Sequence, residues 1–271
     1  MNSLNRPLIE FLLAHGLDLT LEDGLAQMLT YRRIKPLLGL FLRNRARYPA
    51  WEEQAAKALC EFVRKRDLKW VSLMVWAKAD PLLKVHPMSE IPYEEADEPW
   101  KESAAEIAVQ NGDVEIFTML KIDPTAQQAE QLLRSMWFGV DLRIVKRLLK
   151  AGADPNAYDL EAGSILHHLL DSFGRSCEGH FRRRDPRQDV ELIAWMIRKG
   201  ARWVPPAKDW DTGGFRRAFY RGEAEVVVEV IRLLDVGNAC DKDLLRDLVD
   251  KPKMREWVRP HEPDLFDRLL R

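Results

Sequence analysis

The residues that could carry out chemistry in this chain are few and dispersed. Cys177 and His180 have the spacing of a metal-ligand pair, and His167 and His168 are near them in sequence. A structural zinc site needs four converging ligands, and no second pair of suitable type follows. A Cys177–His180 nucleophile is equally weak, because residues three apart in a loop do not orient a base. We therefore expect no bound metal, no cofactor and no catalytic residues.

Sequence signatures of common enzymes are also lacking. The chain has no P-loop, no G-x-S-x-G elbow and no H-E-x-x-H motif, and Gly213-Gly214 is too short to cradle a phosphate. Cys60 and Cys240 lie within helical patterns, so we expect both to be small buried hydrophobes. The sequence therefore predicts that the protein is not an enzyme, and an enzyme with a concealed site is the least favoured alternative.

The segment 82–101 is the first candidate for partner binding. Its sequence, LLKVHPMSEIPYEEADEPWK, is acidic and contains residue types that often anchor interfaces. The predicted contact residues are Tyr93, Glu94, Glu95 and Trp100. The alternative is a long acidic loop in which Trp100 packs beneath the following helix, as an aromatic residue that flanks a helix start usually does.

Two arginine-rich stretches are further candidates for binding. The segment 171–187, DSFGRSCEGHFRRRDPR, contains Arg182, Arg183 and Arg184. The segment 32–47 is basic and contains no acidic residue. Either patch could contact phosphates or an acidic protein. The alternatives are a solvated loop in the first case, and arginine stems that cover the surface of the first helices in the second.

Composition limits the classes of protein to which the chain could belong. Of 271 residues, 46% are hydrophobic and 31% charged, with a net charge of −1, which favours a globular protein over a disordered one. The near-zero charge gives no global reason to expect nucleic-acid or membrane binding. Three dispersed cysteines fit a reducing compartment. The apolar run 8–14 is interrupted by Glu10, so we expect no signal peptide, no membrane span and a cytoplasmic location.

Hydrophobic periodicity predicts short helices that end at repeated punctuation. Strand signals are weak, whereas apolar residues recur at helical spacing. On these stripes Trp70, Trp76 and Trp195 are expected in the core. The ends of successive helices align as LLKAGADPNA at 148–157, MVWAKADP at 74–81 and FLLAHGLD at 11–18. Internal repetition of this kind predicts stacked helical units that share a continuous core.

These residues resemble the ankyrin repeat. The stretch 144–157 is similar to the end of that family's second helix, and Gly163-Ser164-Ile165-Leu166-His167 is similar to the start of its first helix. The resemblance implies two antiparallel helices per repeat, hairpin fingers between repeats, and a concave face that binds proteins. It also implies that Ser103 and Ser164 cap first helices and that His167 forms hydrogen bonds between repeats.

The sequence therefore predicts an all-α, ankyrin-like solenoid in one domain with a helical C-terminal cap. Its function is predicted to be non-catalytic protein binding, as a scaffold, adaptor or inhibitor subunit. Nucleic-acid or acidic-partner binding through 32–47 and 182–187 is the alternative. The predicted pairs are 6–18, 22–44, 52–81, 101–124, 126–156, 163–202 and 212–236, with the cap at 241–271.

Overall fold

The computed structural model is predominantly helical, which confirms the predicted all-α class. It divides into two compact units, Met1–Pro124 and Thr125–Arg271. Each unit is described by itself, and a single stack along the whole chain remains a prediction. The residues that the structure describes are 6–31, 35–88, 100–136, 141–159, 163–177, 186–205, 215, 224–250 and 252–270.

The described residues of the first unit form mainly helices. Its elements are α1 (Arg6–Ala14), a 3₁₀ turn (Leu21–Asp23), α2 (Gly24–Thr30), α3 (Lys35–Asn44), α4 (Ala50–Arg64), α5 (Leu68–Trp76), α6 (Ala104–Gln110) and α7 (Val114–Met119). Helix α4 packs against α2, α5 and α6, while α5 also packs against α7. Successive helix pairs therefore lie side by side and bury their apolar faces against one another, around Trp51, Phe62 and Phe117.

The described residues of the second unit form helices and a short antiparallel strand pair. Its elements are α8 (Ala126–Arg134), α9 (Leu142–Lys150), β1 (Tyr158–Asp159), β2 (Gly163–Ser164), α10 (Ile165–Cys177), α11 (Pro186–Arg198), α12 (Ala224–Val236), α13 (Lys242–Val249), α14 (Pro252–His261) and α15 (Pro263–Leu270). The two strands pair antiparallel. Helix α11 packs against α10 and α12, and α13, α14 and α15 occupy the predicted C-terminal cap.

The repeated G-A-D-P punctuation forms the same turn at several helix ends. Gly152 has φ of +100°, which a residue without a Cβ adopts readily, and the Ala153 amide donates to the Leu148 carbonyl at 3.2 Å. Lys78 takes the equivalent left-handed position with φ of +66°. The amide of Ala79 then donates to the Met74 carbonyl at 3.1 Å.

The aspartate of this punctuation closes the turn with its side chain. Asp154 Oδ1 accepts from the Asn156 amide, and Asp80 Oδ1 accepts from the Leu82 amide, each at 2.8 Å. Asp18 makes the same 2.8 Å contact with the amide two residues later. Such bonds stabilise the turn that follows each helix end.

In each unit a segment between helix pairs is paired antiparallel, and we call this segment a finger; the described residues of the first finger are 82–88 and 100–102. In the first unit Val85 and Glu102 form an antiparallel bridge, and in the second β1 pairs with β2. The two predicted serine caps are confirmed at the ends of these fingers. Ser103 and Glu106 form a reciprocal capping box at the start of α6. Ser164 Oγ accepts from the His167 amide at 3.3 Å at the start of α10.

Candidate functional site

The first finger is held at its base by a cluster of ion pairs that includes two buried carboxylates. Its members come from α4, both sides of the finger and α6; they are Glu61, Arg64, Lys84, Glu102 and Glu106, and we call them the ion-pair cluster. The Arg64 guanidinium contacts both Glu61 and Glu102, and Lys84 Nζ lies 2.7 Å from Glu106 Oε1. Glu102 and Glu106 are buried, and burial of a carboxylate is tolerable only when a cation or hydrogen bonds compensate it.

Cys60 lies next to this cluster, and its thiol is unreactive at neutral pH. Its thiol donates to the Glu102 carbonyl oxygen across 4.0 Å. Burial raises the pKa of the Cys60 thiol to about 12, so the side chain is a thiol at neutral pH rather than a nucleophilic thiolate. Burial likewise raises the pKa of Cys240 to about 12. The prediction that both cysteines are buried is confirmed.

Trp100 emerges from the finger just before the bridge at Glu102. Its side chain does not pack fully beneath the next helix, because the residue remains 52% exposed. A ring nitrogen of His86, Nδ1, lies 3.2 Å from the Trp100 carbonyl oxygen and ties the two sides of the finger together. On the same side of the finger as His86, Met88 Sδ accepts a long contact of 3.9 Å from the Thr30 hydroxyl. The finger therefore adjoins the end of α2.

Tyr31 adds a second exposed aromatic ring next to this contact. It is 64% exposed, and the Lys65 ammonium lies 5.3 Å from the ring centre, within the range of a cation–π interaction. Lys65 also pairs with Glu61 of the ion-pair cluster at 3.6 Å. We call Tyr31, Lys65, Trp100 and the ion-pair cluster together the finger face. Sequence reasoning missed Tyr31, although its position beside the basic segment 32–47 was a usable signal.

Asp23 at the start of α2 extends this set of internally compensated charges. Its carboxylate accepts from Lys57 Nζ at 2.7 Å and from Gln54 Nε2 at 2.8 Å. Burial raises the pKa of Asp23, but these hydrogen bonds and the Lys57 charge outweigh burial and hold the pKa below its ordinary value. Because Asp23 and the carboxylates of the ion-pair cluster are paired within the chain, the exposed rings of Trp100 and Tyr31 are the apolar contacts that the finger face offers.

The other predicted site residues have different outcomes. Tyr93, Glu94, Glu95, Arg182, Arg183 and Arg184 lie outside the described residues. In the segment 32–47, Arg43 pairs with Glu10 at 3.6 Å, Arg45 donates to the Lys78 carbonyl at 2.9 Å, and Arg47 lies 5.4 Å from the Tyr48 ring centre. These arginines therefore contact the protein itself, as the alternative of stems covering the first helices expects.

The tryptophans expected in the core divide into three environments. Trp70 is buried and stacks on Phe62 with ring centres 5.1 Å apart. The prediction for Trp76 was wrong, because the side chain is 60% exposed at the last residue of α5. Trp195 is half-buried rather than buried. A helical stripe drifts in angle along the helix, so a residue at a helix end can leave the core although the spacing is right.

His167 makes the kind of structural contact that was predicted for it. Its Nδ1 accepts from the Trp203 indole N–H at 3.1 Å, which joins α10 to the segment after α11. Burial lowers the pKa of His167, and the charge of Asp171 opposes that effect only in part. The imidazole is therefore neutral at physiological pH, with Nδ1 unprotonated and its proton on Nε2.

Within the described residues, no group of three or more His, Cys, Asp or Glu side chains has the arrangement of a metal site. In the same part of the chain, no helix has the length and apolar character that a membrane span requires.

Comparison with protein families, with curated proteins and with solved structures finds no match to this chain.

Proposed function

We propose that this protein is a non-catalytic binding module, built from ankyrin-like helix pairs, that holds a partner protein through its finger face. The observation that carries this function is Trp100, a large apolar side chain that is half exposed on a finger whose base is attached to helices by ion pairs with two buried carboxylates. A tryptophan of this kind is a frequent energetic anchor of protein interfaces.

The ion-pair cluster supports this function through pre-organisation. Arg64 links α4 to Glu102, and Lys84 links the opposite side of the finger to Glu106 of α6. Both sides of the finger are thereby attached to helices before any partner arrives. Binding then loses less conformational entropy than it would with an unanchored loop, so more of the contact free energy appears as affinity.

Recurrent local geometry supports the ankyrin-like part of the proposal. Asp18, Asp80 and Asp154 close similar turns after second helices, and Ser103 and Ser164 cap first helices after fingers. Each feature joins one helix pair to the next, as a stack of repeats requires. Tyr93, Glu94 and Glu95 belong to the same finger, and we propose that they extend its contact surface.

Binding of nucleic acid through 32–47 receives less support. Arg43, Arg45 and Arg47 are engaged with groups of the protein itself. Breaking those contacts to reach a phosphate backbone would offset part of the electrostatic gain of binding. We therefore retain protein binding as the principal proposal.

The decisive experiment compares two exposed tryptophans of the first unit. Tagged native protein, Trp100→Ala and Trp76→Ala are used to capture partners from native lysate, with nuclease treatment and quantitative mass spectrometry. Both side chains are more than half exposed, so neither substitution should cost much stability. We expect Trp100→Ala to reduce recovery of a specific protein by about tenfold or more, as hot-spot truncation does, and Trp76→Ala to leave it unchanged.

Three results would contradict the proposed interface. Equal recovery with both variants would remove Trp100 from it. Loss of every captured protein on nuclease treatment would indicate a nucleic-acid partner instead. A captured partner that Trp76→Ala releases and Trp100→Ala retains would move the interface to the end of α5. Thermal melting of the variants checks that folding is intact in each case.

A further inference from the structure

A cluster of exposed cations lies on α9 and α11 in the second unit. Lys146 and Lys150 project from α9, Arg198 and Lys199 lie at the end of α11, and Arg202 follows four residues after Arg198. None of these five side chains forms an ion pair with a carboxylate of the described residues. By contrast, Arg134 of α8 and Arg232 of α12 are each paired with a glutamate of their own helix.

The Trp195 ring lies beside two of these cations. Its ring is half-buried on α11, with Lys146 Nζ 5.6 Å and Lys199 Nζ 5.8 Å from the ring centre. These distances are within the range of cation–π attraction, so one ring holds ammonium groups from two helices close to each other. We call Trp195 and the five cations together the basic patch.

Helix stability explains only part of the basic patch. Lys150, Arg198 and Lys199 lie in the last turn of their helices, where the macrodipole favours cations. Lys146 lies in the middle of α9, and its i, i+4 spacing from Lys150 produces like-charge repulsion. Arg202 lies beyond the end of α11. Within the described residues no carboxylate pairs with these cations, and this surplus of positive charge points to an external anion.

The size of the basic patch indicates the class of that anion. Glu191 is exposed four residues before Trp195 on α11. Helix α12, which packs against α11, carries Glu225 and Glu229. Affinity for a polynucleotide grows with the number of phosphates that the protein neutralises. A nucleic-acid strand long enough to gain such affinity would extend past these carboxylates, which would repel its phosphates. A short acidic segment fits the limited positive area and offers carboxylates to the lysines beside the half-buried Trp195 ring.

We propose that the basic patch binds an acidic segment of a partner protein, with Lys146 and Lys199 pairing its carboxylates and Trp195 packing against its apolar side chains. An amphipathic helix with glutamates at i, i+4 spacing would present its charges at the separation of Lys146 and Lys150. The patch belongs to the second unit and shares no residue with the finger face. This proposal is therefore tested independently of the function proposed above.

Fluorescence anisotropy with two labelled probes tests this assignment on the full chain. One probe is a 15-residue peptide with glutamates at i, i+4 spacing beside a leucine stripe, and the other is a 20-nucleotide single strand of thymidines. We expect the native chain to bind the peptide more tightly than the oligonucleotide. Lys146→Glu with Lys199→Glu should weaken peptide binding by about tenfold or more, because like-charge contacts replace attraction.

Matched variants separate the patch from general charge effects. Lys35→Glu with Lys69→Glu makes the same change in net charge at exposed lysines of the first unit and should alter affinity by less than about twofold. Lys146→Arg with Lys199→Arg keeps the charges and should retain binding. The assignment is overturned if the native chain does not bind the peptide, if the two charge-reversal variants behave alike, or if the oligonucleotide binds more tightly than the peptide. Circular dichroism of each variant confirms the fold.

Discussion

At the scale of single residues, the His167–Trp203 pair couples protonation to the fold of the second unit. Nδ1 of His167 accepts the Trp203 indole proton, and this requires a neutral imidazole. Protonation would convert Nδ1 from an acceptor to a donor and leave the indole N–H facing another donor. Burial of the charged ring adds to the cost, which lowers the pKa of His167 from its ordinary 6.5.

This lowered pKa predicts a pH-dependent stability of the second unit. Below about pH 6.5 the unfolded chain takes up the proton at position 167 more readily than the folded chain does. The contribution of His167 is therefore fully present above about pH 6.5 and is lost as pH falls toward its folded pKa. We expect the free energy of unfolding, measured by urea denaturation, to decrease between pH 7.5 and pH 5.5.

A variant that cannot titrate isolates this contribution. His167→Gln keeps a polar side chain of moderate size but removes the ionisation, so its stability should change less with pH than that of the native chain. The neighbouring His168 lies beside His167 with ring centres 6.0 Å apart, and His168→Gln is the matched control. The prediction is contradicted if stability still depends on pH in His167→Gln and loses its pH dependence in His168→Gln, because His168 would then be the titrating group.

At the scale of secondary-structure elements, Gly237 lies directly after α12 and against Ile197 of α11. A Cβ at this position would overlap the Ile197 Cγ2 methyl group and lie 2.9 Å from the Leu233 carbonyl oxygen. The next residue, Asn238, takes the left-handed conformation with φ of +46° and ends the helix. Glycine is therefore required at position 237 because there is no room for a Cβ between α11 and the end of α12.

Gly237→Ala is accordingly expected to lower the free energy of unfolding by about 1–3 kcal/mol, the usual cost of overpacking. Gly39→Ala provides the opposite control within α3, because only the far end of Arg43 lies within 4 Å of its added Cβ. That change should raise stability by about 0.5–1 kcal/mol, since alanine loses less backbone entropy than glycine in a helix. Thermal and urea denaturation measure both, and a neutral Gly237→Ala would contradict the close packing.

The turns and caps at the helix ends are the part of the fold that the sequence could predict. The turns at Asp80 and Asp154 and the caps at Ser103 and Ser164 depend on neighbours within a few residues, so local motifs were sufficient to find them. Trp76 depends on where α5 ends relative to the core, and spacing alone placed it wrongly.

The candidate site was less accessible to sequence reasoning than the turns. Arg64 and Glu102 are far apart in the chain, and the contact between them exists only because α4 lies beside the first finger. Lys146 and Lys199 likewise share the Trp195 ring through the packing of separate helices. The absence of acidic residues from α9 was visible in the sequence, but its partner helix was not.

At the scale of the whole molecule, the two compact units each contain the features of an independent domain. Met1–Pro124 buries Trp51, Phe41 and Phe62, and Thr125–Arg271 buries Phe173 and Val230. Each unit has the length of an ordinary domain, and burial of apolar side chains is the dominant favourable contribution to folding. A stack of repeats can also be divided, because each repeat contacts only its neighbours.

We therefore expect the fragments 1–124 and 125–271 to fold separately. Each should give a helical circular dichroism spectrum and a cooperative urea transition, since each retains its own core. Comparing the stability of each fragment with that of the full chain also tests the prediction of one continuous stack. In a continuous stack, removal of a neighbouring repeat exposes apolar surface and lowers stability. Transitions at the same denaturant concentration as in the full chain would indicate two independent domains. A fragment that is less stable than in the full chain would indicate a shared stack, and a fragment without a cooperative transition would contradict independent folding of that unit.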